Sequence, residues 1–468
     1  MTRNLTALAT VLAVALGLAA PADAAKRFTI RGAGYGHGVG MSQYGAMGYA
    51  SHGWDYRRIL GHFYTDTAIG VLDEPRTVRV LIQTTNTASF RGATAAAGRR
   101  LSPGTTYTVR GRAGNQVQLT TARGRPIVTA PAPLRVTGAR PITVLGTSGL
   151  QRVNGSYRGA LEFRPSSSLG GVNVINALDV DEYVLGVIPL EVPASWPAEA
   201  LKAQAVAART YALTTNKNGP GFDHYSTTSS QVYGGVAAEH PSTNAAAAAT
   251  KGQLVTYQGT PVATYFFSTS GGRTEDVEKS GLGTTALPWL RSVEDRYDSV
   301  SPKHRWTVRM SMASAGAKLR GLYRGRFRGV RVITRGSSPR VVAADVVGTA
   351  GRTRVTGPTL RARLGLFDSW AYFRSIATGK APAPLSAKVS AATPVVARVP
   401  AVAGLKGTVF PGRKGATVKV QRRFHGRWVA AGAATTTRGG RYHAGVAAAG
   451  TYRVVVRGAA GPAVTVGT

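Results

Sequence analysis

The chain has 468 residues, 58 Lys and Arg against 21 Asp and Glu, and a formal net charge of +37. With 43% hydrophobic residues it is too apolar to stay disordered and long enough for two or three domains with real cores. The absence of cysteine excludes disulfides, thiolate zinc sites, iron–sulfur clusters and a cysteine nucleophile.

Residues 1–24 read as a secretory signal peptide: Arg3 supplies the positive start, an apolar run follows, and Ala22-Asp23-Ala24 gives a small-x-small cleavage pattern. No later stretch reaches the roughly 18 apolar residues a membrane span needs. The expected protein is therefore secreted, extracellular or cell-wall associated, with no membrane span after cleavage and no nucleic acid as partner. Its charge would find a counterpart in anionic wall polymers.

The mature chain opens on a glycine-dense loop from Gly32 to Gly40. A helical pattern follows through Gln43, Ala46, Tyr49 and Ala50, and another covers 56–64. Short alternating segments broken by Gly, Pro and Asn predict a β-rich subdomain over about 76–163. Residues 172–178 read as a strand and 181–187 as a short helical turn. The clearest helix starts near Pro197, with Leu201, Ala205, Ala208 and Ala212 on one small-residue stripe. Gly219-Pro220-Gly221 stops it. Strand signals return at 253–257, 261–268 and 328–355. Between Lys303 and Arg363 stand fifteen Lys and Arg against one acid, Asp345. That stretch is either a solvated basic face or a contact for anionic wall material.

Residues 377–400, rich in Ala, Pro, Ser and Val, read as a linker. Strands at 417–421, 428–431 and 452–456 predict a small immunoglobulin-like β-sandwich accessory domain over 401–468, with Trp428 and Tyr442 in its core rather than on a sugar platform. The fold class is thus α+β: a mixed, β-rich catalytic domain over 25–376 with a few helices, followed by a small C-terminal β-sandwich.

Familiar catalytic motifs are missing. There is no G-x-G-x-x-G, no phosphate loop, no H-E-x-x-H and no G-x-S-x-G elbow. The eight histidines are scattered, and no metal or cofactor is expected. What stands out is Glu191, a lone carboxylate within Val187-Ile188-Pro189-Leu190-Glu191-Val192-Pro193-Ala194-Ser195-Trp196-Pro197. Apolar and proline neighbours would desolvate it and raise its pKa toward that of a general acid, which can protonate a glycosidic oxygen. On sequence alone a surface glutamate in a turn is the favoured reading.

The segment Leu190-Glu191-Val192-Pro193-Ala194-Ser195-Trp196-Pro197, with Glu199-Ala200-Leu201-Lys202-Ala203-Gln204-Ala205-Val206-Ala207-Ala208-Arg209-Thr210-Tyr211-Ala212 after it, resembles the signature of the stage II sporulation protein D family. That family comprises peptidoglycan lytic transglycosylases and is grouped with amidase enhancers. Ser230-Gln231-Val232-Tyr233-Gly234-Gly235, Tyr265-Phe266-Phe267-Ser268-Thr269-Ser270-Gly271-Gly272-Arg273-Thr274 and Arg361 to Trp370, around Leu364-Gly365-Leu366, extend the likeness. So does Gly36-His37-Gly38-Val39-Gly40-Met41-Ser42-Gln43-Tyr44-Gly45-Ala46, although in the family's usual layout this motif closes the domain and here it opens the mature chain. A permuted order keeps the same packing if the two ends lie near each other.

The resemblance implies cleavage between N-acetylmuramic acid and N-acetylglucosamine without water, leaving 1,6-anhydromuramoyl ends, with Glu191 as acid and then base. Peptide-stripped glycan strands are the implied substrate. Candidate substrate-binding residues are Arg209, Tyr211, Ser229, Gln231 and Tyr233, the close-approach segment Ser270, Gly271 and Gly272, and His37 and Gln43. Arg209 can instead pair with a carboxylate, Tyr233 can pack, and His37 can close its loop by a hydrogen bond. The competing readings are a non-catalytic wall-binding amidase enhancer, with a cell-wall amidase as partner, and an adhesive surface protein.

Overall fold

A computed structural model describes residues 27–146, 155–167, 171–217 and 219–378, then 403–409, 414–424, 426–446, 450–456, 459–461 and 463–466. The expected leader at 1–24 lies outside the described residues, as does the expected linker beyond Thr378. Strands outnumber helices throughout, and the fold is α+β.

The strand Val172–Asp179 is buried along nearly its whole length. Its apolar run suits an interior strand, and it lies antiparallel between Thr77–Thr85 and Ala160–Pro165 in a seven-stranded sheet. The expected β-rich segment also forms a six-stranded sheet of its own, built from strands between Ala88 and Tyr157. Both sheets share one core, in which Phe90, Val109, Leu119 and Phe163 meet Val174, Tyr183 and the long helix.

Six helices matter for the site: α1 (Gln43–Ser51), α2 (Tyr56–Phe63), α3 (Val180–Leu185), α4 (Ile188–Glu191), α5 (Ala198–Thr214) and α6 (Pro241–Ala249). α5 begins directly after Pro197, and its stripe Leu201, Ala205, Ala208 and Ala212 faces the sheet core. The single stripe was too narrow an expectation. Ala203, Val206 and Ala207 are equally buried, against Val39, Met41, Ile59, Phe63 and Tyr64. Alanines let the helix be approached closely from both sides, so α1 and α2 cover the flank opposite the sheet.

A third core gathers Phe28, Ile30, Trp306, Val330, Ala344, Val346 and Phe373. Here Arg27–Ala33 runs antiparallel to Ala371–Thr378, with Arg27 opposite Ile376 and Gly32 opposite Ala371. The start of the described chain and the end of this domain are therefore neighbours in one sheet. The Gly36 N–H also bonds the Phe367 carbonyl at 3.1 Å, which ties the glycine loop to the segment after Leu366.

The strand expected at 261–268 forms only in part, as Thr260–Pro261 and Phe266–Phe267. Between them the chain bonds to other elements. The Thr264 hydroxyl donates to the Ala207 carbonyl on α5, and the Tyr265 carbonyl accepts from Met41 N–H and the Tyr64 hydroxyl.

At the C-terminal end, Ala403–Val409 pairs with Ala371–Thr378 on one side and with Arg441–Val446 on the other. The strands that follow enclose a fourth core of Leu405, Val418, Val420, Tyr442, Tyr452 and Val454. Tyr442 is buried, whereas Trp428 is half-exposed beneath the Arg453 guanidinium, 4.4 Å from its ring. Among the described residues no helix is long and apolar enough to cross a membrane.

Candidate active site

Glu191 ends α4, a single turn with Pro189 near its start, where a missing N–H leaves nothing unsatisfied. The Val192 N–H closes the turn on the Ile188 carbonyl at 3.0 Å. Pro193 and Pro197 then keep the backbone from continuing the helix before α5. The Glu191 side chain is half-buried, and its Oε1 accepts the Val232 backbone N–H at 3.0 Å. The Gln43 side-chain amide lies close enough to the carboxyl to moderate its charge. Burial raises the Glu191 pKa above its ordinary 4.5, and these two groups, which favour the charged form, draw it part of the way back.

Gln43 reaches this position from the opposite end of the domain. The Ser42 hydroxyl caps α1 by accepting the Gly45 N–H at 3.0 Å, so Gln43 is the first residue of the helix. Met41–Ser42 pairs with Phe266–Phe267, and Gln43 Nε2 also donates to Gln204 Oε1 at 3.5 Å. His37 locks the loop that precedes it. Its Nδ1 accepts the Val39 N–H at 3.1 Å, so Nε2 carries the proton and donates to the Phe266 carbonyl at 3.0 Å. Burial pushes the His37 pKa down to about 4, and the ring is neutral at neutral pH. Gln43 thus joins Glu191, while His37 closes the loop.

Several other candidates serve the scaffold. The Arg209 guanidinium is fully buried, 2.6 Å from Asp181 Oδ1, and donates to the Gln253 and Ala247 carbonyls. It links α3, α5 and α6 and has no face open to a sugar. Gln231 is buried, accepting from the Tyr183 hydroxyl and donating to the Ala208 carbonyl, each at 3.3 Å. The Tyr233 hydroxyl donates to Asn176 Oδ1 at 2.7 Å. With residues 231 and 233 facing inward, the backbone N–H of Val232 between them faces Glu191. Ser229 is exposed on the same loop, and Tyr211 is buried against Tyr265 and Phe266.

The segment Ser270-Gly271-Gly272 makes its close approach to the protein itself. A Cβ on Gly271, at φ +76°, would lie 2.8 Å from the Ala33 Cβ and 2.9 Å from the Gly34 nitrogen. The Ser270 hydroxyl and the Gly271 N–H both donate to Asp298.

Sequence reasoning missed the Val232 N–H, because a backbone donor leaves no mark in residue identity. It also passed over Tyr183, whose buried phenol is pushed well up by desolvation and then by the Glu191 charge. The rings of Tyr44 and Trp196, 5.0 Å apart and both half-exposed, flank the same region, and both lay within motifs already noted. Asp295, sealed beneath α1, had no sequence signal beyond one more acid in a charged loop. Among the described residues no three His, Asp or Glu side chains converge as a metal site.

Comparison with known proteins adds a name to this region. The family model described as stage II sporulation protein matches residues 168–257. An uncharacterised protein of Brachyspira hyodysenteriae is 41% identical over 140 residues, 29% of this chain and 37% of that protein. The stage II sporulation protein D of Bacillus subtilis is 32% identical over 209 residues, 41% of this chain and 59% of its own length. The amidase enhancer of Bacillus subtilis is 39% identical over 133 residues, 28% of this chain and 17% of its own. The chain thus spans less than two thirds of each of these relatives. No solved structure matches it.

Proposed function

We propose, for a chain that belongs to the stage II sporulation protein D and amidase-enhancer family, that it cleaves peptidoglycan glycan strands outside the cell membrane as a lytic transglycosylase. The observation that carries this reading is the Glu191 carboxyl, half-buried, raised in pKa, held by the Val232 backbone N–H and with the Gln43 amide close by. A hydrolase that activates water generally uses a second acid, whereas intramolecular attack by a sugar hydroxyl needs only one.

In the first step the protonated Glu191 gives its proton to the glycosidic oxygen as the C1–O bond breaks and positive charge develops at C1 of the muramoyl residue. Glu191 is then a carboxylate, stabilised by the Val232 N–H and the Gln43 amide. In the second step it removes the proton from the muramoyl C6 hydroxyl as that oxygen bonds to C1. The 1,6-anhydro ring forms, and Glu191 regains its proton. Val232 and Gln43 favour the charged form, so they assist the departure of the first proton, while burial favours the protonated form beforehand.

The test is mass spectrometry of glycan strands, with and without stem peptides, after incubation with purified protein. Anhydromuramoyl ends are expected, preferentially from peptide-free strands, and Glu191→Gln should abolish them while leaving glycan affinity nearly intact. Equal activity of the variant would remove Glu191 from the mechanism. Similarity to an amidase enhancer supports a second reading, a wall-binding partner of a cell-wall amidase. That reading gains if folded wild-type protein cleaves neither substrate.

A further inference from the structure

The strands Tyr323–Arg324, Gly351–Thr356, Val341–Gly348 and Phe327–Arg335 form, in that order, a four-stranded sheet remote in the chain from Glu191. Its inner face, with Val330, Ala344, Val346 and Val355, is buried on Phe28, Ile30 and Leu360. The outer face carries a row across three strands: Arg331 lies opposite Asp345, and Asp345 opposite Arg354. Arg352, two residues before Arg354, shares that face.

Asp345 is only 2% exposed although it points away from the core, because arginines lie over it. Arg354 Nε is 2.5 Å from its Oδ1 and Arg352 Nε 3.5 Å from its Oδ2. Both contacts use Nε, and both side chains remain more than half exposed, at 56% and 64%. The terminal amino groups of each guanidinium are therefore left for another acceptor. Arg331 is exposed and has no partner among the described residues. Three guanidiniums against one carboxylate leave two positive charges in the row, and exposed Arg324, Arg326 and Arg328 add to them along the same sheet. Like charges on neighbouring strands destabilise a sheet, so folding alone gives no reason to gather them here.

We infer that this outer face is a docking surface for a linear phosphodiester polymer of the cell wall, and not for a nucleic acid. Guanidinium end groups match phosphate oxygens bidentately, which a lysine ammonium cannot do. Neighbouring strands are about 5 Å apart and same-face residues along a strand about 7 Å, so a flexible chain can bring successive phosphates to successive arginines. A membrane surface is the poorer match. Ile333 is the one large apolar side chain exposed on these strands among the described residues, and interfacial binding needs a broad apolar face. Docking here is separate from the chemistry proposed at Glu191 and does not depend on it.

The experiment measures binding of the whole protein to poly(glycerol phosphate) by fluorescence anisotropy across a salt series. Polyglutamate and phosphatidylglycerol vesicles serve as competing probes. Replacing Arg331, Arg352 and Arg354 by Gln should weaken binding about tenfold or more and flatten the log–log salt slope by roughly one per arginine that meets a phosphate. Replacing the same three by Lys should keep most of the affinity and lose the preference for phosphate over polyglutamate. Circular dichroism melts confirm that both variants fold, and glycan cleavage by both should equal wild type. The inference is overturned if the Gln variant binds like wild type, if the Lys variant keeps the phosphate preference, or if wild type prefers the vesicles or polyglutamate.

Discussion

Replacing Asp295 by Asn should make the protein more stable near neutral pH, by an amount that vanishes in acid. Asp295 is 1% exposed beneath α1, where a Cβ on Gly45 would lie 2.3 Å from its Oδ2. Neither carboxyl oxygen completes a hydrogen bond, although Ser270 and Ser42 lie close enough to moderate its charge. Burial first, and the neighbouring Asp298 charge second, push its pKa from 3.8 up to about 7. Since the folded form holds the proton more tightly than the unfolded form, folding takes up a proton between those two values. Stability therefore falls as pH rises through that window. At about 1.4 kcal/mol per pH unit, the accumulated cost above pH 7 is roughly 4 kcal/mol. Asparagine keeps the shape and cannot ionise, so it removes the pH-dependent part of that cost. Thermal unfolding of wild type and Asp295→Asn from pH 4 to pH 8 reads it directly. The variant should gain over wild type progressively above pH 4 and level off above pH 7. A stability difference that does not change with pH, or a variant less stable at pH 8, would refute the reasoning.

Two further substitutions test the site and its frame. Gln43→Leu removes an amide that favours the Glu191 carboxylate, so the Glu191 pKa should rise further and the alkaline limb of the cleavage pH profile should move to higher pH. An unshifted limb would detach Gln43 from the carboxyl. Arg209→Met breaks a buried pair, leaving Asp181 uncompensated and two carbonyls without their donor, and should cost on the order of 3–5 kcal/mol in denaturant unfolding. A loss of activity with stability unchanged would instead give Arg209 a direct part in substrate contact.

The sequence was most readable where one side chain or one periodicity decided the matter. Glu191 stood out because carboxylates rarely sit among prolines and aliphatics, and α5 because its alanines and Leu201 repeat at helical spacing. Pairing over long sequence distances was less legible. That Gln43 meets Glu191 depends on how α1 docks against α5, which no local pattern encodes. The polar residues chosen as sugar contacts prove to bond within the protein for a related reason. Arg209, Gln231 and Tyr233 have side chains suited to a ligand, but a protein with so much backbone entering from loops has carbonyls and amides of its own to satisfy. Composition cannot say which demand a guanidinium or a phenol meets. The basic stretch at 303–363 was legible as charge, while its arrangement into one outward row required the register of three strands.

The pairing of Arg27–Ala33 with Ala371–Thr378 has a consequence for how the domain is held. Because the two strands are antiparallel, Arg27 and Ile376 lie at the same end of the sheet. Arg27 and Thr378 therefore mark a single attachment point on the domain. A tether on either side would suspend the domain in the same orientation, with the same surfaces turned toward whatever the tether is fixed to. An anchor engineered before Arg27 and one engineered after Thr378 are, in mechanical terms, interchangeable.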